Sequence, residues 1–174
     1  MITLRPAIEA DCAKLATLAT QVWLHTYAWS GISQAIANFV LTELTPEKYA
    51  ARLDDPNSHL TVAEHGSNLV GMVRTHRGPP WPDAKPEQGQ IELATLYVQA
   101  HYVRKGIGER LLKFAEQHAA QYSQEPLWLT VNVHNANAIA FYKKMGYQKI
   151  GTTFFKMEDA DHENHILLGT RRSS

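Results

Sequence analysis

The chain has 174 residues, 44% of them hydrophobic, enough for one ordinary domain with its own core and too few for a second of similar size. Lysine plus arginine and aspartate plus glutamate number 17 each, so no global field recruits nucleic acid or an anionic membrane, and nine histidines add charge only below about pH 6.5. The start of the chain lacks a basic stretch followed by an apolar run, and no uncharged segment approaches the roughly 18 apolar residues of a membrane span. The expectation is a cytoplasmic protein without nucleic-acid or membrane partners.

Ile2 to Pro6 alternates like an edge strand, and from about Glu9 a helical pattern follows with Leu15, Leu18, Val22 and Trp23 on one face. Cys12 falls in that helix; as the only cysteine it has no second thiol for a disulfide or a CxxC site, and a small buried side chain suits it better than a nucleophile. Ser33 caps a helix carrying Ile36, Val40 and Leu44, and Thr45-Pro46-Glu47 opens another with proline in its first turn. His59 to Glu64 and Leu69 to His76 are strands joined through His65-Gly66-Ser67-Asn68. Gly78-Pro79-Pro80-Trp81-Pro82 then stops the ladder, since proline lacks the donor, and a loop runs to about Gln88.

Ile91 to Val98 reads as a strand, Gly106 to about Tyr122 as a helix with Ile107, Leu111, Phe114, Ala115, His118 and Ala119 on one side, and Leu127 to Val133 as a strand, together a βαβ crossover. A short helix spans Asn135 to Met145 and stops at Gly146, and Tyr147 to Met157 with His165 to Leu168 forms a closing hairpin. No repeat or linker divides the chain, so residues 1–174 are expected to be a single domain.

Between the crossover strand and its helix lies Tyr97-Val98-Gln99-Ala100-His101-Tyr102-Val103-Arg104-Lys105-Gly106-Ile107-Gly108. Glycines let backbone amides approach an anion, a helix start adds unpaired donors and partial positive charge, and Arg104 and Lys105 add charge-assisted contacts, so a diphosphate fits here. Two other phosphate loops fail: the Walker pattern needs Lys-Ser/Thr after its glycine where Glu109 follows Gly108, and the dinucleotide fingerprint needs a third glycine where Leu111 stands. A second motif, Asn135-Ala136-Asn137-Ala138-Ile139-Ala140-Phe141-Tyr142-Lys143-Lys144-Met145-Gly146-Tyr147, lies about thirty residues on.

With both motifs in this order, the sequence resembles the GNAT superfamily of N-acetyltransferases over nearly its whole length. The resemblance implies an α/β (α+β) fold: a mixed central sheet of about seven strands with helices on both faces, whose fourth and fifth strands splay apart to admit the pantetheine arm of acetyl-CoA. By the same resemblance Leu96, Tyr97 and Val98 pair with that arm, Arg104, Lys105, Gly106, Ile107, Gly108 and Glu109 hold the pyrophosphate, and Asn135 contacts the cofactor from the other side. Where the family usually has Gln or Arg, three residues before the first glycine, this chain has Val103, which removes one side-chain contact and keeps the backbone donors. Acetyl-CoA is the implied cofactor, with no metal, and the chain is an expected homodimer by analogy.

Tyr142 matches the tyrosine that protonates the departing thiolate in many such enzymes; a phenol near pKa 10 is a reasonable acid toward a thiol near 8.5. The alternative is a core tyrosine whose hydroxyl bonds the backbone. The attacking amine must lose a proton, and Glu92 is the first candidate base: alternation puts Glu92, Ala94, Leu96 and Val98 on one side of their strand, partly enclosed. A structural glutamate explains the position equally well, and His101, His134 and His76 are weaker candidates.

The segment ending in Phe155-Lys156-Met157-Glu158-Asp159 is similar to PaiA-type polyamine acetyltransferases, which implies spermidine or spermine as acceptor, and the acidic hairpin loop of Glu158, Asp159, Asp161 and Glu163 can attract a polycation. That family tends to carry an acid and a base where this chain has Ala94 and Thr95. The loop after the first helix, with Trp23, His25, Tyr27 and Trp29, offers aromatic faces for an ammonium, Tyr27 and Trp29 being the candidates and Trp23 a packing residue. The expected reaction is acetyl transfer to a primary amine of a small molecule by direct attack. The rivals are a non-catalytic acyl-CoA-binding regulator and a protein or peptide N-acetyltransferase.

Overall fold

A computed structural model describes residues 1–85, 91–158 and 160–170. The strands are β1 (Ile2–Pro6), β2 (Ser58–His65), β3 (Asn68–Arg77), β4 (Ile91–Val98), β5 (Trp128–Asn132), β6 (Gln148–Met157) and β7 (Ala160–Leu168). The helices are α1 (Cys12–Tyr27), α2 (Gln34–Glu43), α3 (Pro46–Asp54), α4 (Ile107–Ala119) and α5 (Ala136–Lys144), with 3-10 turns at Glu9–Asp11 and Ala100–Tyr102. The strands form one mixed sheet in the order β1-β2-β3-β4-β5-β7-β6, the expected α/β arrangement. Two compact units are interleaved in the chain, Met1–Arg74 with Thr95–Ala115, and Thr75–Ala94 with Glu116–Ser174.

In the first unit Leu15, Ala19, Val62, Val70, Met72, Ile107, Leu111 and Leu112 are almost wholly buried, which is why the apolar stripes of α1 and α4 recur at helical spacing. Ser33 Oγ accepts from Ile36 N and Thr45 Oγ1 from Lys48 N, so both expected caps form. An ion network closes the edge: the Arg5 guanidinium donates to both Asp11 oxygens, at 2.7 and 3.0 Å, and to Glu64 on β2. Asp11, only 1% exposed, also accepts from Ile8 N and lies 3.1 Å from Lys14 Nζ. Close packing needs Gly71 in β3, where a Cβ would stand 3.0 Å from Leu111 Cδ1 and 3.1 Å from the Tyr97 carbonyl oxygen.

In the second unit β5 pairs antiparallel with β7 from Trp128↔Leu168 to Asn132↔Asn164, and β7 pairs with β6. Trp81, expected only in a proline-rich loop, is buried edge-on against Trp128 and packs with Ile166. Gly146, at φ +90°, ends α5: its amide donates to the Lys143 carbonyl and the Tyr147 amide to the Tyr142 carbonyl, the two bonds of a Schellman cap.

Three boundaries differ from expectation. The amides of Gln121 and Tyr122 bond three residues back, to His118 and Ala119, so α4 tightens and ends at Ala119. Strand β7 begins at Ala160, so Asp161 and Glu163 are strand residues opposite Lys156 and Phe154, and only Glu158 of the described acidic residues lies in the turn. An opposite-charge cross-strand neighbour favours that extension of the ladder. Trp23, His25 and Tyr27 belong to α1, leaving Trp29 in the loop.

Candidate active site

Strand β4 leads to the loop. Its ladder with β5 is one parallel pair, Glu92↔Trp128. Leu96, Tyr97 and Val98 are half-buried. A strand flank accepts an added extended segment through its backbone groups, which is what a pantetheine arm provides.

Beyond β4 the chain turns sharply. Gln99 anchors the turn: its amide donates to the Val70 carbonyl at 2.9 Å, and its side chain accepts from His101 N at 2.8 Å. Arg104 and Gly106 then take left-handed conformations at φ +61° and +76°. For arginine this is strained backbone, of the kind that surrounding structure imposes at ligand sites. At the start of α4, Arg110 N donates to the Gly106 carbonyl, which places the amides of Ile107 and Gly108 in the first turn, where a helix has no acceptor of its own for them. A Cβ added at Gly106 would meet nothing within 4 Å, so the space before these donors is open. Glu109, whose carboxylate would oppose an anion, is held by Lys113 Nζ at 2.6 Å. Exposed Arg104 and Lys105 supply the positive charge. These residues fit a diphosphate.

Asn135 is the N-cap of α5, its Oδ1 accepting from Ala138 N at 3.2 Å, which leaves its amide nitrogen for any further contact. Tyr142 faces inward on α5, 8% exposed, with ring centroids 5.2 Å from Phe141 and 5.7 Å from Tyr147. Tyr147 donates its hydroxyl to Glu116. Burial pushes the Tyr142 hydroxyl well above its ordinary value, so it stays protonated. Glu92 is half-buried between the buried Ile91 and Leu93.

The weaker candidates are dispersed: His76 is half-buried near the end of β3, and His101 and His134 are exposed in turns. The Cys12 thiol is raised by burial, which opposes a nucleophilic role. Among the acceptor candidates, Trp29 is 81% exposed, Tyr27 is half-buried, and Glu158 is exposed; Asp159 lies outside the described residues. Trp23 stacks on Phe39 at 4.4 Å and on Tyr27 at 4.5 Å, the packing role expected of it. Two residues beside the loop, His65 and Tyr102, went unread in the sequence because their contact spans 37 positions and belongs to no local pattern. No cluster of three or more His, Cys, Asp or Glu side chains able to hold a metal occurs among the described residues, and no helix there is long and apolar enough to cross a membrane.

A mixed sheet whose fourth strand leads through a left-handed turn into a glycine-bearing helix start defines an α/β protein with an anion-binding loop. The family described as acetyltransferase (GNAT) matches residues 16–147, and the chain belongs to it. An uncharacterised N-acetyltransferase of Mycobacterium tuberculosis is 28% identical over 158 residues, 91% of this chain and 96% of that one. The N-alpha-acetyltransferase RimI of the same organism is 26% identical over 165 residues, 92% and 88% of the two chains. Among solved structures, the PaiA N-acetyltransferase of Thermoplasma acidophilum in complex with coenzyme A superposes with a TM-score of 0.76 at 22% identity, covering 95% of this chain and 98% of that one. The protein is an acetyl-CoA-dependent N-acetyltransferase.

Proposed function

We propose that this enzyme, acting as one domain over residues 1–174, acetylates a primary amine of a small molecule, with polyamines the first acceptors to test. The observation that carries the donor half is the helix start, with the amides of Ile107 and Gly108, behind left-handed Arg104 and Gly106. Arg104, Lys105 and these amides bind the diphosphate, each charge-assisted contact contributing about 1.5–3 kcal/mol. The Leu96–Val98 edge orients the pantetheine arm, and Asn135 contributes its amide nitrogen. Acetyl-CoA supplies an activated acyl thioester.

Glu92 takes the proton of the attacking amine, directly or through water. Tyr142 delivers its proton to the departing sulfur. Its raised pKa makes it a weaker acid, but a thiolate leaving into equally dry surroundings is a stronger base, so the transfer remains matched. Tyr27, Trp29, Glu158 and Asp159 are the proposed acceptor contacts, the aromatic faces and carboxylates both suiting an ammonium. The likeness to the PaiA N-acetyltransferase supports the polyamine reading, while the relation to RimI supports a peptide amino terminus as the second reading.

Coenzyme A release should be measured with acetyl-CoA against polyamines, amino acids, amino sugars and peptides, with thermal stabilisation by coenzyme A in parallel. Release with spermidine or spermine supports the first reading and release with peptides alone the second. Stabilisation without release from any amine favours a regulator, and no stabilisation removes the donor assignment.

A further inference from the structure

The loop before α4 is braced by two residues that none of these roles uses. The Tyr102 hydroxyl lies 2.8 Å from His65 Nδ1 at the end of β2, and in the tautomer with Nδ1 bare the phenol donates to it. The two rings meet edge-on with centroids 5.8 Å apart. From the other end of the loop, Lys105 Nζ sits 4.7 Å from the centroid of the Tyr102 ring, within cation–π range. The strained Arg104 and Gly106 lie between and just beyond these contacts.

We propose that Tyr102 is a positioning residue for the donor diphosphate, an inference that rests on reading this loop as the coenzyme A site. His65 fixes the ring, and the ring holds the Lys105 ammonium next to the open helix start. A lysine carries three donor hydrogens, and a π face engages it from one side only, so those directed away from the ring stay available to a phosphate oxygen. Without the ring, this flexible side chain would surrender its rotamer freedom at the moment of binding. Without the His65 contact, the ring itself would be free to turn. The brace comes from a neighbouring hairpin, and the main-chain anchor at Gln99 is separate from it, so removing the brace leaves the turn Ala100–Tyr102 with its hydrogen bond from Tyr102 N to the Gln99 carbonyl.

Calorimetric titrations with coenzyme A and with pantetheine, which lacks the diphosphate and nucleotide, separate positioning from general disruption. For Tyr102→Leu the dissociation constant for coenzyme A should rise about tenfold while that for pantetheine changes less than twofold. Tyr102→Phe keeps the ring and its edge-on contact with His65 and loses only the hydrogen bond, so its dissociation constant for coenzyme A should rise about threefold, less than in Tyr102→Leu. Equal weakening of both ligands, or unchanged coenzyme A affinity in Tyr102→Leu, overturns the proposal. A wild-type protein that binds coenzyme A no more tightly than pantetheine instead removes the diphosphate reading on which it rests.

Discussion

Replacing Gly106 with alanine isolates the anion site from the fold. The position is left-handed at φ +76°, where an L-residue costs about 1–2 kcal/mol, and the new methyl meets nothing within 4 Å. For a chain of this size that loss corresponds to a fall in Tm of roughly 2–8 °C. The same methyl would stand beside the helix start at Ile107 and Gly108, where the diphosphate is proposed to bind. Losing one charge-assisted bond there weakens coenzyme A binding about 10- to 100-fold. At a coenzyme A concentration 100 times the wild-type Kd, ligand stabilisation is about 2.7 kcal/mol; the variant should retain only about 1.4 to about 0.4 kcal/mol. Gly31→Ala is the control, since Gly31 is at φ +104° and equally open but lies between α1 and α2. Scanning fluorimetry of the three proteins with and without coenzyme A makes the comparison. A Gly106→Ala protein that keeps the full ligand shift, or a Gly31→Ala protein that loses it equally, refutes the reasoning.

Tyr142→Phe should lower kcat about a hundredfold or more and leave the coenzyme A Kd within twofold. Because burial raises that hydroxyl, the wild-type kcat profile should show no Tyr142-dependent alkaline limb at or below pH 10; a limb that vanishes in Tyr142→Phe contradicts this. Glu92→Gln should lower kcat and be partly rescued at high pH, where more of the free amine is already neutral; an unchanged rate across the profile removes Glu92 as base. Arg5→Ala leaves the buried Asp11 with Lys14 and one backbone donor, and should cost about 3 kcal/mol. The Arg5 guanidinium holds the Asp11 carboxyl well below its ordinary value, so this stabilisation is present above about pH 4 and is lost as pH falls through the depressed value. Denaturant titrations at pH 7 and pH 3 should therefore show a smaller gap between variant and wild type in acid; a constant gap excludes the ion network as its source.

What the sequence showed best was what a local period or cap can encode. Leu15, Leu18 and Trp23 on α1, Ser33 and Thr45 at their caps, and Gly146 behind α5 each state their role within a few neighbouring residues. Where a boundary depended on pairing with a distant partner, it was misplaced. Strand β7 starts five residues before His165 because Asp161 and Glu163 find places in a ladder with β6, and alternating charged residues carry no apolar period to announce that. The aromatic loop shortened for a different reason: Trp23 and Tyr27 pack on each other and on Phe39, so burial of the rings continues α1 to Tyr27.

The same division explains why the two substrates differ in legibility. In the proposed reading the donor is gripped largely by main chain, and main-chain shape is written in glycine positions and helix starts, here Gly106 and Ile107. An acceptor is chosen by side chains from separate segments, and Tyr27, Trp29 and Glu158 each have an ordinary use on a helix, a loop or a turn. Arg104 shows how the two levels can disagree. Its side chain reads as a phosphate ligand, yet its left-handed backbone would be easier for glycine, so the strain is tolerated where the turn must aim the amides that follow. Arg104→Gly therefore separates charge from shape: it relieves the backbone while removing the cation, and the sign of its effect on coenzyme A affinity tells which contribution is larger.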